Sequence, residues 1–177
     1  LADFDYVYGG SFAKSVKYAN TLKLRMAMRI VNVAPALSKE KAEEAVNDSY
    51  GVMAEAGDAA FSSFNDGMNP FYRAAYTWNG GEFRASANIT SYLGGYKDPR
   101  LTIYVKESEE NGYVGVRNGI SQTASSFASY QKLSNVNVGE GDKLLVMSAA
   151  EAYFLRAEGA LRGWNMGGTA KELYETG

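Results

Sequence analysis

The residues best equipped for chemistry sit in one short stretch, Tyr76-Thr-Trp78-Asn79-Gly80-Gly81-Glu82. Sugars present apolar C–H faces that stack on aromatic rings, and neighbouring amide and carboxylate groups bond their hydroxyls. Tyr76, Trp78, Asn79 and Glu82 supply both kinds of contact, and the glycine pair lets backbone approach a ligand closely. The competing reading is that Trp78 merely anchors the loop onto helices. A second stretch, Tyr113-Val-Gly-Val-Arg117-Asn118-Gly119 with Phe127 and Tyr130 beyond it, offers a similar mixture and could equally face a protein partner.

Catalytic readings are weaker. Glu82 and Asp98 could serve a glycoside hydrolase, which needs two carboxyls facing each other across a cleft and neither His nor Cys. Glu151, Arg156 and Glu158 form a tempting cluster, but Glu151 is expected to be occupied in capping its helix. Arg100, in Asp98-Pro99-Arg100, could clamp a carboxylate or a hydroxyl, although Asp-Pro turns are ordinary loop architecture. Asn88-Ile89-Thr90 matches a glycosylation acceptor, a motif too short to carry weight.

The composition narrows the field further. His and Cys are both absent, which removes imidazole bases, thiolate nucleophiles and the usual zinc, haem and iron–sulfur ligands, so no cofactor is expected. A net charge of -2 with both signs interspersed lacks the basic face that a nucleic-acid binder needs. Hydrophobic residues at 46% and charged residues at 21% are ordinary for a globular chain, and 177 residues suit one compact core. No apolar run is long enough to span a bilayer.

Helices must position these residues. Phe12, Val16, Ala19, Leu22, Met26, Ile30 and Val33 step by three and four, predicting an amphipathic helix from about Ser11 to Val33. Pro35 closes it, and Ser38 is the expected N-cap of a second helix whose inward positions are Ala42, Ala45, Val46, Ser49, Val52 and Met53 and which stops at Gly57. The short connector makes residues 11–57 an antiparallel hairpin. Opposite charges are expected to face each other across it, Lys and Arg on the first helix against Glu and Asp on the second. Asn20, Arg25 and Arg29 lie off the apolar stripe and read as clamps between helix and loop.

A third helix is predicted to start at Ser148, where Ser148-Ala-Ala-Glu151 is a capping box, and to bury Met147, Ala150, Phe154, Ala157, Leu161 and Trp164. Gly163 ends it or lies just past its end. Thr169-Ala-Lys-Glu172 is a second capping box, opening another helix, so 148–177 reads as a second hairpin cut short. Residues 58–147 between the hairpins are punctuated by Gly, Asn and Ser. They are read as a loop-rich insertion with one short helix near Ala85–Leu93 and extended pieces at Arg100–Val105 and near Lys143–Val146.

Three stretches then resemble the SusD/RagB family, in its SusD-like branch. They are Tyr18-Ala-Asn-Thr-Leu-Lys-Leu-Arg-Met-Ala-Met-Arg29 with Glu43-Glu-Ala-Val46, then Tyr92-Leu-Gly-Gly-Tyr-Lys-Asp-Pro-Arg-Leu101, then Ser148-Ala-Ala-Glu-Ala-Tyr-Phe-Leu-Arg-Ala-Glu158 running to Leu173-Tyr174-Glu175. The resemblance implies a mostly α fold of tetratricopeptide-like helix hairpins, an α/α superhelix whose irregular insertion carries the ligand site. It implies a non-catalytic surface lipoprotein of the outer membrane of Bacteroidetes. Such a protein captures an oligosaccharide, or another nutrient such as a peptide, and passes it to a SusC-type TonB-dependent transporter. The resemblance also implies a full protein of several hundred residues, with an export signal and lipidated Cys upstream of Leu1. The rivals are the glycoside hydrolase above and a helical-repeat scaffold that grips protein partners.

Overall fold

The computed structural model describes residues 2–64, 66–109, 112–121 and 129–177. Phe127, one of the aromatic candidates, lies outside the described residues. The helices described are α1 (Phe12–Arg29), α2 (Pro35–Val46), α3 (Pro70–Tyr72), α4 (Ala87–Gly95), α5 (Leu101–Tyr104), α6 (Ala149–Leu161) and α7 (Ala170–Thr176). Two strands, β1 (Ala60–Ser62) and β2 (Leu144–Met147), pair antiparallel. The chain is mostly helical and divides into two compact units. Residues 1–63 and 143–177 form the first, and 64–142 form the second.

In the first unit, α1 and α2 make one hairpin and α6 and α7 another, with the β1–β2 ladder beside them. The ladder sets Ala60 opposite Met147 and Ser62 opposite Leu144, with an irregularity after Ala60. Leu24, Ala27 and Met28 of α1 meet Ala42 and Ala45 of α2 and Ala149, Ala152 and Ala157 of α6, all buried, in a core completed by Met53, Met147, Met166 and Leu173. Small residues let helix backbones come close. Gly159 is the extreme case, since a Cβ there would lie 2.7 Å from Met166 Sδ.

This buried face is not the apolar stripe expected from the sequence. Phe12 is 70% exposed and Val33 88%, while the α1 face that packs runs through Thr21, Leu24, Ala27 and Met28. On α6, likewise, Phe154 and Leu161 point outward and Ala149, Ala152, Ala157 and Gly159 are buried. The larger side chains misdirect the reading because close helix pairing selects for small volume as well as apolarity.

The helix limits also shift. α1 ends at Arg29, and Pro35 opens α2 at its first turn, where a missing amide costs nothing. Ser38 is therefore not a cap; it is buried within α2 and donates to the Ala27 carbonyl at 2.7 Å. α2 stops at Val46, so Val52 and Met53 are buried from a loop, and Gly57 lies in a 3₁₀ turn, Ala56–Asp58. Thr21 on α1 holds that loop by accepting the Met53 amide at 2.9 Å, and Asn20 donates to the Gly51 carbonyl at 2.9 Å. Asn20 thus clamps helix to loop, whereas Arg29 is exposed.

Charge is distributed less simply than a hairpin zipper. Lys23 reaches Glu44 on α2 at 2.6 Å, but Lys17 pairs with Asp58 in the following turn and Lys14 donates to the Gly57 carbonyl. Arg25 crosses to α6, where its Nε and Nη2 meet the two oxygens of Glu151 at 2.5 and 2.6 Å. Ser148 does cap α6, accepting the Glu151 amide, yet the Glu151 side chain forgoes the reciprocal half of the box for the stronger bidentate pair. At α7 both halves of the Thr169–Glu172 box are present, and Gly163, at φ 77°, lies just past the end of α6.

The second unit is built differently. Its short helix, predicted near 85–93, is α4, capped by Ser86. The stretch expected to be extended from Arg100 is instead the single turn of α5, because Asp98 accepts both the Arg100 amide and its guanidinium and so starts a helical turn. The rest is irregular backbone joined through polar side chains. Asn69 accepts the Phe71 and Tyr72 amides to open α3 and donates to the Asp142 carbonyl at 2.8 Å. Buried Ser134 accepts the Val114 amide, and Thr90 accepts the Gly115 amide.

Candidate functional site

α3 runs straight into a π-helical turn, Arg73–Thr77, followed by a 3₁₀ turn, Trp78–Gly80. Widened turns of this kind release carbonyls from the helical ladder and often mark functional sites. Asn79 (φ 48°), Gly80 (φ 78°) and Gly81 (φ 90°) then reverse the chain. Gly81 admits no side chain, since a Cβ there would stand 2.2 Å from the Ala75 carbonyl oxygen. The returning Glu82 and Phe83 amides both donate to the Ala74 carbonyl, at 3.0 and 3.2 Å.

Beyond this tip the backbone at Ala85 is held from two sides. Its amide donates to the Ser134 carbonyl at 2.9 Å, and its carbonyl accepts the Val116 amide at 2.8 Å. Gly115 passes so close to Ser86 that a Cβ would meet backbone at 2.5 Å. These contacts bring three segments together around a cavity of about 200 Å³. Glu82, Phe83 and Arg84 form one wall, Val116 and Asn118 a second, and Tyr130 with Gln131 a third.

The predicted residues are placed unequally around this cavity. Glu82 lines it, with its carboxylate accepting from the Asn79 side-chain amide at 2.7 Å. Trp78 stands at the tip, 60% exposed, so it does not anchor the loop by packing. Tyr76 takes the anchoring role instead. Its hydroxyl donates to the Val136 carbonyl, its ring lies 4.9 Å from that of Tyr72, and Lys106 Nζ sits 4.6 Å above its face. Tyr113 is half-buried and Arg117 exposed, and both flank the second wall without lining the cavity.

Phe83, Arg84 and Gln131 are cavity residues that no motif or spacing singles out. Arg84 follows the glycine pair with no spacing that would mark it, and Gln131 adjoins Tyr130 without a motif. The Arg84 guanidinium bonds the carbonyls of Gly81 (2.9 Å), Phe83 (2.7 Å) and Gln131 (2.7 Å), and burial pulls its pKa below the ordinary arginine value.

The other carboxylates considered for catalysis are each paired with an arginine. Arg100 beside Asp98 holds its carboxyl down at about 2, first through the guanidinium bond and then through the Arg100 amide. Glu151 is spoken for by Arg25, and Glu158 pairs with Arg162 at 2.7 Å. Among the described residues no group of three or more His, Cys, Asp or Glu is placed to hold a metal ion.

The whole chain, residues 1–177, matches the family described as SusD-like, the Susd and RagB outer membrane lipoproteins. The chain belongs to the SusD-like family. Solved structures agree. A chitin-binding SusD homologue from Flavobacterium johnsoniae shares 45% identity with a TM-score of 0.84, over 99% of this chain and 36% of that one. A SusD-like protein from Bacteroides thetaiotaomicron shares 42% at 0.82, over 99% of this chain and 37% of that one. A SusD homologue from Bacteroides uniformis shares 41% at 0.83, with the same coverage. The SusD-like chain therefore spans little more than a third of the length of these solved relatives. Among curated proteins none matches it.

Proposed function

We propose that the protein to which this SusD-like chain belongs is a non-catalytic glycan-binding subunit at the cell surface. It delivers its ligand to a SusC-type TonB-dependent transporter in the outer membrane. The observation that carries the reading is the exposed Trp78 ring at the tip beside a cavity lined by Glu82, Asn118, Tyr130 and Gln131. An indole held out of the core offers a stacking face, and the carboxylate and amides offer partners for hydroxyls and acetamido groups. The 45% identity to a chitin-binding homologue makes oligomers of N-acetylglucosamine the first ligand class to examine.

A binding role without turnover also suits the carboxylates. Asp98, one of the two carboxyls a hydrolase would use, is held down at about 2 by Arg100, whereas a glycosidase acid needs displacement in the opposite direction. The test is titration calorimetry of the chain with chitohexaose, with product analysis on the same samples. Binding that falls roughly five- to 150-fold in Trp78→Ala, with the oligosaccharide recovered intact, is the expected outcome; roughly 1–3 kcal/mol of stacking is at stake. Shortened oligosaccharide would establish the hydrolase instead, and no saccharide binding at all would favour a protein-gripping scaffold.

A further inference from the structure

The Arg84 guanidinium has an unusual set of partners. Its bonds to described residues all end on main-chain carbonyls: Gln131 from Nε and Nη2 at 3.1 and 2.7 Å, and Gly81, Phe83 and, at a longer 3.4 Å, Ala75 from Nη1. Ala75 and Gly81 bracket the tip that carries Tyr76, Trp78 and Asn79. Gln131 belongs to the opposite wall of the cavity. The Ala75 carbonyl also accepts the Asn135 side-chain amide at 2.8 Å.

We infer that Arg84 is the positioning residue of this site, clasping both ends of the Trp78 tip and tying it to the Tyr130–Gln131 wall so that aromatic ring and cavity keep a fixed spacing. The inference rests on the glycan-binding reading for its consequence, but not for its geometry. A planar fork with five donors can serve carbonyls on three segments at once, whereas a lysine ammonium acts from a single point. A tip fixed in this way has less freedom to lose when ligand binds, and preorganisation of that kind raises affinity without adding a contact.

The test compares Arg84→Lys, Arg84→Ala and the parent in the full chain, with Trp164→Phe throughout so that Trp78 alone reports fluorescence. Hydrogen exchange at the Glu82 and Phe83 amides and quenching of Trp78 follow the tip, and chitohexaose affinity follows the site. Expected are exchange at those two amides faster by roughly tenfold or more and affinity lower by roughly tenfold in the lysine variant as well as the alanine one, with unchanged exchange in α1. Added ethylguanidinium should restore part of the exchange protection in Arg84→Ala. Parent-like exchange and quenching in Arg84→Lys would overturn the inference, because charge alone would then suffice. Should Arg84→Ala fail to fold, the lysine comparison decides. Should the parent itself not bind chitohexaose, that ligand assignment falls, and the exchange and quenching data still decide the role of Arg84.

Discussion

The two units hold themselves together by different means. In the helical unit the backbone satisfies itself within helices, and stability comes from burying small apolar faces such as Ala27, Ala45 and Ala152 around Leu24. In the loop-rich unit much of the backbone has no ladder, so Asn69, Arg84, Thr90, Ser134 and Asn135 provide its partners one bond at a time. Packing fails when volume changes, whereas a polar framework fails when a donor is lost. The candidate site lies where the second kind of construction places it, in irregular backbone able to present a ring and a cavity together.

The comparison breaks most sharply under core truncation. Leu24→Ala should destabilise the helical unit by about 2–5 kcal/mol, read by urea denaturation, because the side chain is fully buried. Exchange protection at Glu82 and Phe83 should change far less than that of α1; equal losses would show that the units share one cooperative transition. Gly81→Ala should act in reverse, costing about 1–3 kcal/mol through backbone strain at φ 90° and collision with the Ala75 carbonyl. Loss of Trp78-dependent glycan binding with an intact α1 is the expected signature.

The smallest effect is an acid one. Asp58 accepts the Ala54 and Glu55 amides and Lys17 Nζ; burial opposes its ionisation, but the bonds prevail and its pKa is lowered. A depressed carboxyl contributes stability that is complete above its unfolded value, about 4, and is lost as pH falls through its lower folded value. Thermal melts should therefore show the wild type losing more stability than Asp58→Asn below about pH 4. Identical pH profiles would remove Asp58 from the framework of the helical unit.

Much of the helical frame was legible because capping signals are local. Ser148, Thr169 and Gly163 mark their helix ends by chemistry that involves only neighbouring residues. The buried faces were not legible, because Phe12 and Leu161 outweigh Ala27 and Ala152 in any count of apolarity, and only the partner helix reveals that small volume was required. Glu151 was misjudged for the same reason: its partner Arg25 is 126 residues away. In the candidate site, the Trp78–Gly81 stretch announces itself by composition, while Arg84 is recognisable only after the carbonyls of Ala75, Gly81 and Gln131 have been brought around it.

The β1–β2 ladder has a consequence for how such a chain can diversify. By pairing Ser62 with Leu144 it closes the intervening unit into a single loop, as seen from the helical frame. Closing a loop costs free energy that rises only with the logarithm of its length, about 0.6 kcal/mol for each doubling. An insert rewritten in sequence, or lengthened considerably, therefore burdens the frame hardly at all. One inherited chassis can be refitted with new binding loops while its hairpins continue to fold as before.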